Sequence, residues 1–136
     1  QSYAAQVIKN AKAMAEVFRE QGVRMMCGGT DNHLLLIDAM TSWGATGGEV
    51  ETALDKVHIT LNKNSIADDP RPPMDPSGIR LGTPAMTTRG FKEAEFRQVA
   101  EWISAAATHH QDEAKLKEIG AAVNELCLRF PVPGIA

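Results

Sequence analysis

The chain reads as an α/β two-layer sandwich, a small, mainly antiparallel sheet covered by helices. Three observations lead there: helical apolar periodicity in the first segment and the last third, short alternating runs between them, and an opening link too short for a parallel crossover. At 136 residues, 43% of them hydrophobic, the chain is long enough for one domain with a single core.

Val7, Ile8, Ala11, Met14, Ala15 and Phe18 recur at three- and four-residue spacing, which predicts an amphipathic helix over 1–22 closed by a left-handed Gly22. Val23 to Cys27 and Leu34 to Asp38 read as strands, and the short Gly28-Gly29-Thr30-Asp31-Asn32 link makes them antiparallel. Thr46-Gly47-Gly48-Glu49 has capping-box spacing before Val50, Ala53, Leu54 and Val57. It predicts a helix of about three turns running into a strand at His58 to Leu61. In the fourth strand Ile79 and Leu81 face one way and Arg80 the other; Gly82 then frees the backbone, Thr83 can cap, and Pro84 suits a first helical position. Two helical stripes follow, Phe96, Val99, Ile103 and Ala107, then Leu116, Ile119, Val123, Leu126 and Phe130. Gly90 and Gln111-Asp112 mark breaks, and Pro131 and Pro133 end the last helix. No repeat or low-complexity tract occurs.

A net charge of -3 with no basic tract argues against nucleic acid or an anionic membrane as partner. The apolar runs are too short to span a membrane, and the first residues lack a signal peptide's core. Cys27 and Cys127 are too few for a disulfide framework and suit buried thiols in a reducing, cytoplasmic setting. The chain opens with Gln1, so it is expected to be a piece of a longer protein. Zinc-ligand spacings, a Walker loop and a nucleophile elbow are all absent. His109-His110 reads as a solvated helix end, His33 as a structural histidine, Gly28-Gly29 as a turn, and Lys92, Glu93, Glu95, Arg97 and Glu101 as a solvated helix face.

What remains is Arg80 and a loop. Arg80 is expected to be a buried arginine on a rigid strand at a cleft edge, where a guanidinium fork needs an anion and can hold a carboxylate through two parallel hydrogen bonds. On the residues alone, a structural carboxylate is the commoner partner. The segment from Asp68 to Pro76 holds four of the seven prolines, which lower the entropy lost on ordering and favour a preformed binding wall.

Gly28-Gly29-Thr30-Asp31-Asn32-His33, Asn62-Lys63-Asn64-Ser65, Ser77-Gly78-Ile79-Arg80-Leu81-Gly82-Thr83-Pro84-Ala85 and Arg89-Gly90-Phe91 occur in the order and spacing of serine hydroxymethyltransferase, and the chain resembles the C-terminal small domain of that family with the helix leading into it. The resemblance implies an interdomain helix over 1–22 and the small domain over 23–136 of a fold-type I pyridoxal-phosphate enzyme. In that family the hydroxymethyl group of serine passes to tetrahydrofolate, leaving glycine. It further implies that Arg80 binds the substrate carboxylate, that Asn64 approaches the folate, and that Pro72-Pro73-Met74 lines the folate site. The family often reads Ser-Pro-Phe at that last place, so only Pro73 matches, and Pro72 and Met74 alter the packing.

Pyridoxal phosphate needs an anchoring lysine, a phosphate cup and a partner for its ring nitrogen. The family draws these from its large domain, and none of the seven lysines here sits in the threonine- and histidine-flanked setting used there. The resemblance thus implies a fragment that is inactive alone and works with the missing large domain in a cytoplasmic homodimer. The alternative is an independent, non-catalytic binding domain derived from the same fold.

Overall fold

The computed structural model describes residues 2–26 and 34–131, the side chains of Pro84 and Ala85 excepted. Cys27 and the Gly28 to His33 motif lie outside them. Among the described residues the order is α1 (Ser2–Glu20), β1 (Leu34–Asp38), α2 (Ala39–Trp43), α3 (Gly47–Lys56), β2 (Asn62–Asn64), β3 (Gly78–Gly82), α4 (Pro84–Thr88), α5 (Glu93–Thr108) and α6 (Glu113–Leu128).

The sheet is antiparallel with β3 in the centre, β1 on one side and β2 on the other. Its pleat sorts the side chains: Ile37, Ile79, Leu35 and Leu81 are buried, whereas Leu36, Arg80 and Asn62, aligned across the three strands, occupy the opposite face. The helical layer is built around α5, which packs against α1 and α3, while α6 packs against α5 and α3.

Helix α1 buries Val7, Ala11, Met14, Ala15 and Phe18 of the stripe read from its periodicity, while Ile8 is half-buried and Asn10, Ala13 and Val17 are buried beside it. It ends at Gly22 (φ +77°), with Val23 N–H donating to Phe18 O at 2.9 Å across the last turn. Helix α3 opens with the predicted capping box: the Thr46 hydroxyl accepts from Glu49 N–H, and the Glu49 carboxylate accepts from Thr46 N–H. Asp112 caps α6 through its carboxylate alone, which accepts from Lys115 N–H.

Three expectations are corrected. The described part of the Val23 to Cys27 strand reduces to one antiparallel bridge, Met25 with Ile37: Arg24 O still accepts from Asp38 N–H, but Arg24 N–H donates to the Ser42 hydroxyl instead of a strand partner. The strand expected at His58 to Leu61 lies at Asn62–Asn64: His58 takes a positive φ of 68° and Ile59 N–H donates back to Leu54 O, so these residues close α3 before the chain can extend. Thr83 makes no cap with its side chain. Its hydroxyl is buried and donates to Val7 O in α1 at 2.9 Å.

The turn Arg89-Gly90-Phe91 locks the end of α6. Arg89 donates from Nε to Phe130 O (2.7 Å) and from Nη2 to Cys127 O (3.1 Å), placing a cation on carbonyls at the negative end of the helix dipole. Phe91 meets Phe130 edge-on with ring centroids 4.8 Å apart. The single core predicts one cooperative thermal transition by circular dichroism, and Arg89→Ala should destabilise the chain by about 1–2 kcal/mol and lower the midpoint by several degrees. An unchanged midpoint would show that the clamp contributes nothing.

Candidate functional site

Arg80 sits at the middle of β3, between the buried Ile79 and Leu81, and opposite Leu36 on one side and Asn62 on the other. The rigid strand is as expected, but the side chain is exposed rather than buried. Alternation explains the difference: the same pleat that buries both neighbours turns Arg80 outward, and its flanking strand positions on that face are Gly78 and Gly82, which carry no side chain to cover it. Among the described residues no carboxylate pairs with the guanidinium and no hydrogen bond holds it. A planar fork of five N–H donors is left free on a fixed strand.

Both ends of that strand are held. Ala39 and Met40 N–H donate to Ser77 O at 2.8 and 3.2 Å, and Gly47 N–H donates to Pro76 O at 2.7 Å, so the N-termini of α2 and α3 converge on the residues before β3. The approach of α3 is close enough that a Cβ on Gly47 would fall 2.1 Å from Gly78 O, and one on Gly78 would fall 2.6 Å from Asn64 O. Only glycine fits at either place.

Asn64 ends β2 opposite Gly78, on the same face as Asn62 and Arg80, and is half-buried with Nδ2 donating to Ser65 O at 2.8 Å. Pro72, Pro73 and Met74 form the exposed tip of the loop between β2 and β3, with Met74 84% exposed. Lys63 Nζ ties the tip to β2 by donating to Met74 O (2.8 Å). Met74 also lines an open groove of about 470 Å³ with Lys63, Asp75 and the first turn of α3, and Arg80 is not part of that groove. The structure therefore groups Arg80 with Asn64 on one sheet face, and groups Pro72, Pro73 and Met74 around the β2 edge.

Two carboxylates order the loop, and neither drew attention in the sequence. Asp69 accepts from Ser77 N–H (2.9 Å), Ser77 Oγ (2.7 Å), Arg71 N–H (2.9 Å) and Ile66 N–H (3.3 Å). Desolvation pushes its carboxyl up, but these hydrogen bonds, led by Ser77 and Arg71, outweigh it and bring the pKa from 3.8 down to about 2. Asp75 is lowered chiefly by the Thr46 hydroxyl, against desolvation, with Arg71 and Gly48 N–H assisting. The sequence signal was an Asp at each end of a proline cluster, where short carboxylates bind nearby backbone N–H groups.

Other expected features are more engaged than solvated. His109 caps α5, while His110 Nδ1 lies 3.0 Å from Ala107 O and its Nε2 3.7 Å from Glu49. Glu93, assigned to the solvated face, is half-buried and held by Gln6 at 2.7 Å, a hydrogen bond that leads the lowering of its pKa. Cys127 is half-buried. All seven lysines lie at the surface, six exposed and Lys115 half-buried beside Glu118.

The family model of serine hydroxymethyltransferase matches residues 1–103. The chain belongs to the serine hydroxymethyltransferase family. It is 49% identical over 132 residues to the serine hydroxymethyltransferase of Acidobacterium capsulatum and 49% identical over 134 residues to that of Sorangium cellulosum, covering 97% and 98% of this chain. The chain spans 31% of the length of each of these relatives. Among the described residues no helix is long and apolar enough to cross a membrane.

Because the Asp69 pKa in the folded chain lies below its ordinary value, its contribution to loop order is complete above pH 3.8 and is lost as the pH falls through about 2. The Ser77 and Arg71 amide resonances should titrate together with a midpoint near that lower value. In Asp69→Asn that titration should vanish; its survival would assign it to another group.

Proposed function

We propose that this chain is the C-terminal domain of a serine hydroxymethyltransferase, in which Arg80 binds the α-carboxylate of serine or glycine. The observation that carries this reading is the exposed, unpaired guanidinium on a strand pinned at both ends. Two parallel N–H donors match the two carboxylate oxygens, so a rigid arginine fixes both the position of the amino acid and the direction of its Cα bonds. Asn64 shares that sheet face, and with Pro72, Pro73 and Met74 it forms the folate-facing wall that takes tetrahydrofolate as cosubstrate. The ordered loop supports this, since a wall held by Asp69 and Asp75 needs little further ordering when the ligand arrives.

The reaction interconverts serine and glycine with transfer of the hydroxymethyl unit to tetrahydrofolate, and it requires pyridoxal phosphate. The lysines of this chain all lie at the surface, where none has the enclosed setting that an anchor for that cofactor needs. The remaining two thirds of the enzyme, as judged from the length of its relatives, would hold it. In this reading residues 1–22 are the interdomain helix, residues 23–136 are the small domain, the isolated chain is inactive, and the complete enzyme acts as a cytoplasmic homodimer.

In the full-length protein, Arg80→Lys should keep fold and cofactor but lose roughly two orders of magnitude in serine turnover, because an ammonium offers a point charge and no fork. Asn64→Ala should weaken tetrahydrofolate more than serine. Steady-state kinetics with each substrate varied separately, with cofactor absorbance as the control, measure both. Normal serine kinetics in Arg80→Lys would overturn the assignment.

A further inference from the structure

We infer that Asn10, in the middle of α1, is a positioning residue for Arg80, holding the C-terminal end of the arginine strand through a buried polar network. The inference rests on the reading of Arg80 given above. Asn10 is fully buried in the apolar stripe of its helix. Asparagine is a poor helix former, and its amide is costly to bury unless every polar atom is paired. Here all are paired. Nδ2 donates to Thr87 Oγ1 at 2.9 Å and to Phe91 O at 3.0 Å, and Oδ1 accepts from Gln6 Nε2 at 2.9 Å.

The network leads directly to β3. Thr87 Oγ1 passes its own hydrogen to Thr83 O at 2.7 Å, and the Thr83 hydroxyl donates to Val7 O at 2.9 Å, one helical turn before Asn10. Thr83 is the residue that follows the strand, three positions beyond Arg80, and it is fully buried. The ladders to β1 and β2 fix β3 sideways within the sheet. The hydrogen bonds to α1 fix its end against the helical layer. An alkyl side chain could fill the space at residue 10, but only directional bonds set a single position, as fully satisfied buried networks do.

The test uses the full-length enzyme with pyridoxal phosphate bound, and two variants: Asn10→Leu, and Thr87→Val, which puts a methyl in place of the hydroxyl that accepts from Asn10 and donates to Thr83 O. Serine and tetrahydrofolate are varied separately, and glycine affinity is read from cofactor absorbance. Each variant should raise the serine KM about tenfold, the loss expected of a carboxylate grip displaced by a fraction of an ångström, and leave the tetrahydrofolate KM unchanged. In an Arg80→Lys background the same substitutions should no longer weaken glycine, because the grip they position is already gone. Equal effects on both substrates, or a penalty that simply adds to that of Arg80→Lys, would make Asn10 a stability residue and overturn the inference. If Asn10→Leu fails to fold, normal serine kinetics in Thr87→Val overturn it equally. Failure of the Arg80 assignment is separately visible, as Arg80→Lys alone would then bind glycine normally.

Discussion

A strand with neighbours on both sides has no free edge, and the arrangement around β3 follows from that constraint. Its register with β1 and β2 cannot slip by one residue without sending Arg80 into the core and Ile79 and Leu81 out of it. Burying an unpaired guanidinium costs several kcal/mol, and exposing two apolar side chains adds to that, so the pleat holds Arg80 outward. The direction of the arginine is therefore a property of the whole sheet. No local contact has to hold it, and among the described residues its donors stay unpaired.

The same strand explains why so much backbone polarity gathers at its start. The residues leading into β3 carry carbonyls that would be orphaned at the end of a long loop. The N–H groups opening α2 and α3, which themselves need acceptors, meet them there. Glycine at 47 and 78 lets the two backbones come close enough for this. Asp69 completes the arrangement by taking the Ser77 amide and hydroxyl, so the proline-rich loop, the helix ends and the strand share one hydrogen-bonded junction. Proline stiffens the loop by removing alternatives in the unfolded chain, and the carboxylates select one of those that remain.

Features that repeat along the chain were legible in the sequence, and features made by distant contacts were not. The stripes of α1, α5 and α6, the capping box at Thr46 and the alternation around Arg80 are local patterns, and each appears in outline, with Ile8 and Val99 only half-buried and Phe130 beyond the end of α6. The strand at His58 to Leu61 failed because a left-handed His58 is set by how α3 closes, which no alternation rule detects. Thr83 looked like a cap because it precedes Pro84, yet its hydroxyl answers to Val7, 76 positions away in sequence. The exposure of Arg80 was half legible: alternation gave its opposite facing, but its lack of a carboxylate partner depended on what the other strands bring beside it. Asn10 left a readable trace, a lone amide three residues after Val7 and four before Met14 in an otherwise apolar stripe.

That trace bears on the status of the first helix. A helix that only linked two bodies would need an apolar face for each, and nonpolar contacts alone would let it slide or roll at little cost. Helix α1 is instead committed to this domain by directional bonds at Gln6, Val7 and Asn10, which engage Glu93, Thr83, Thr87 and Phe91 O. These partners lie before, within and after α4, so α1 bridges the end of β3 and the start of α5. Movement of α1 relative to this domain would have to break several buried hydrogen bonds together, whereas moving α1 together with α5 and the whole sheet breaks none of them. Any displacement imposed on α1 from outside is therefore carried into the strand that bears Arg80, and the helix moves with the arginine rather than past it.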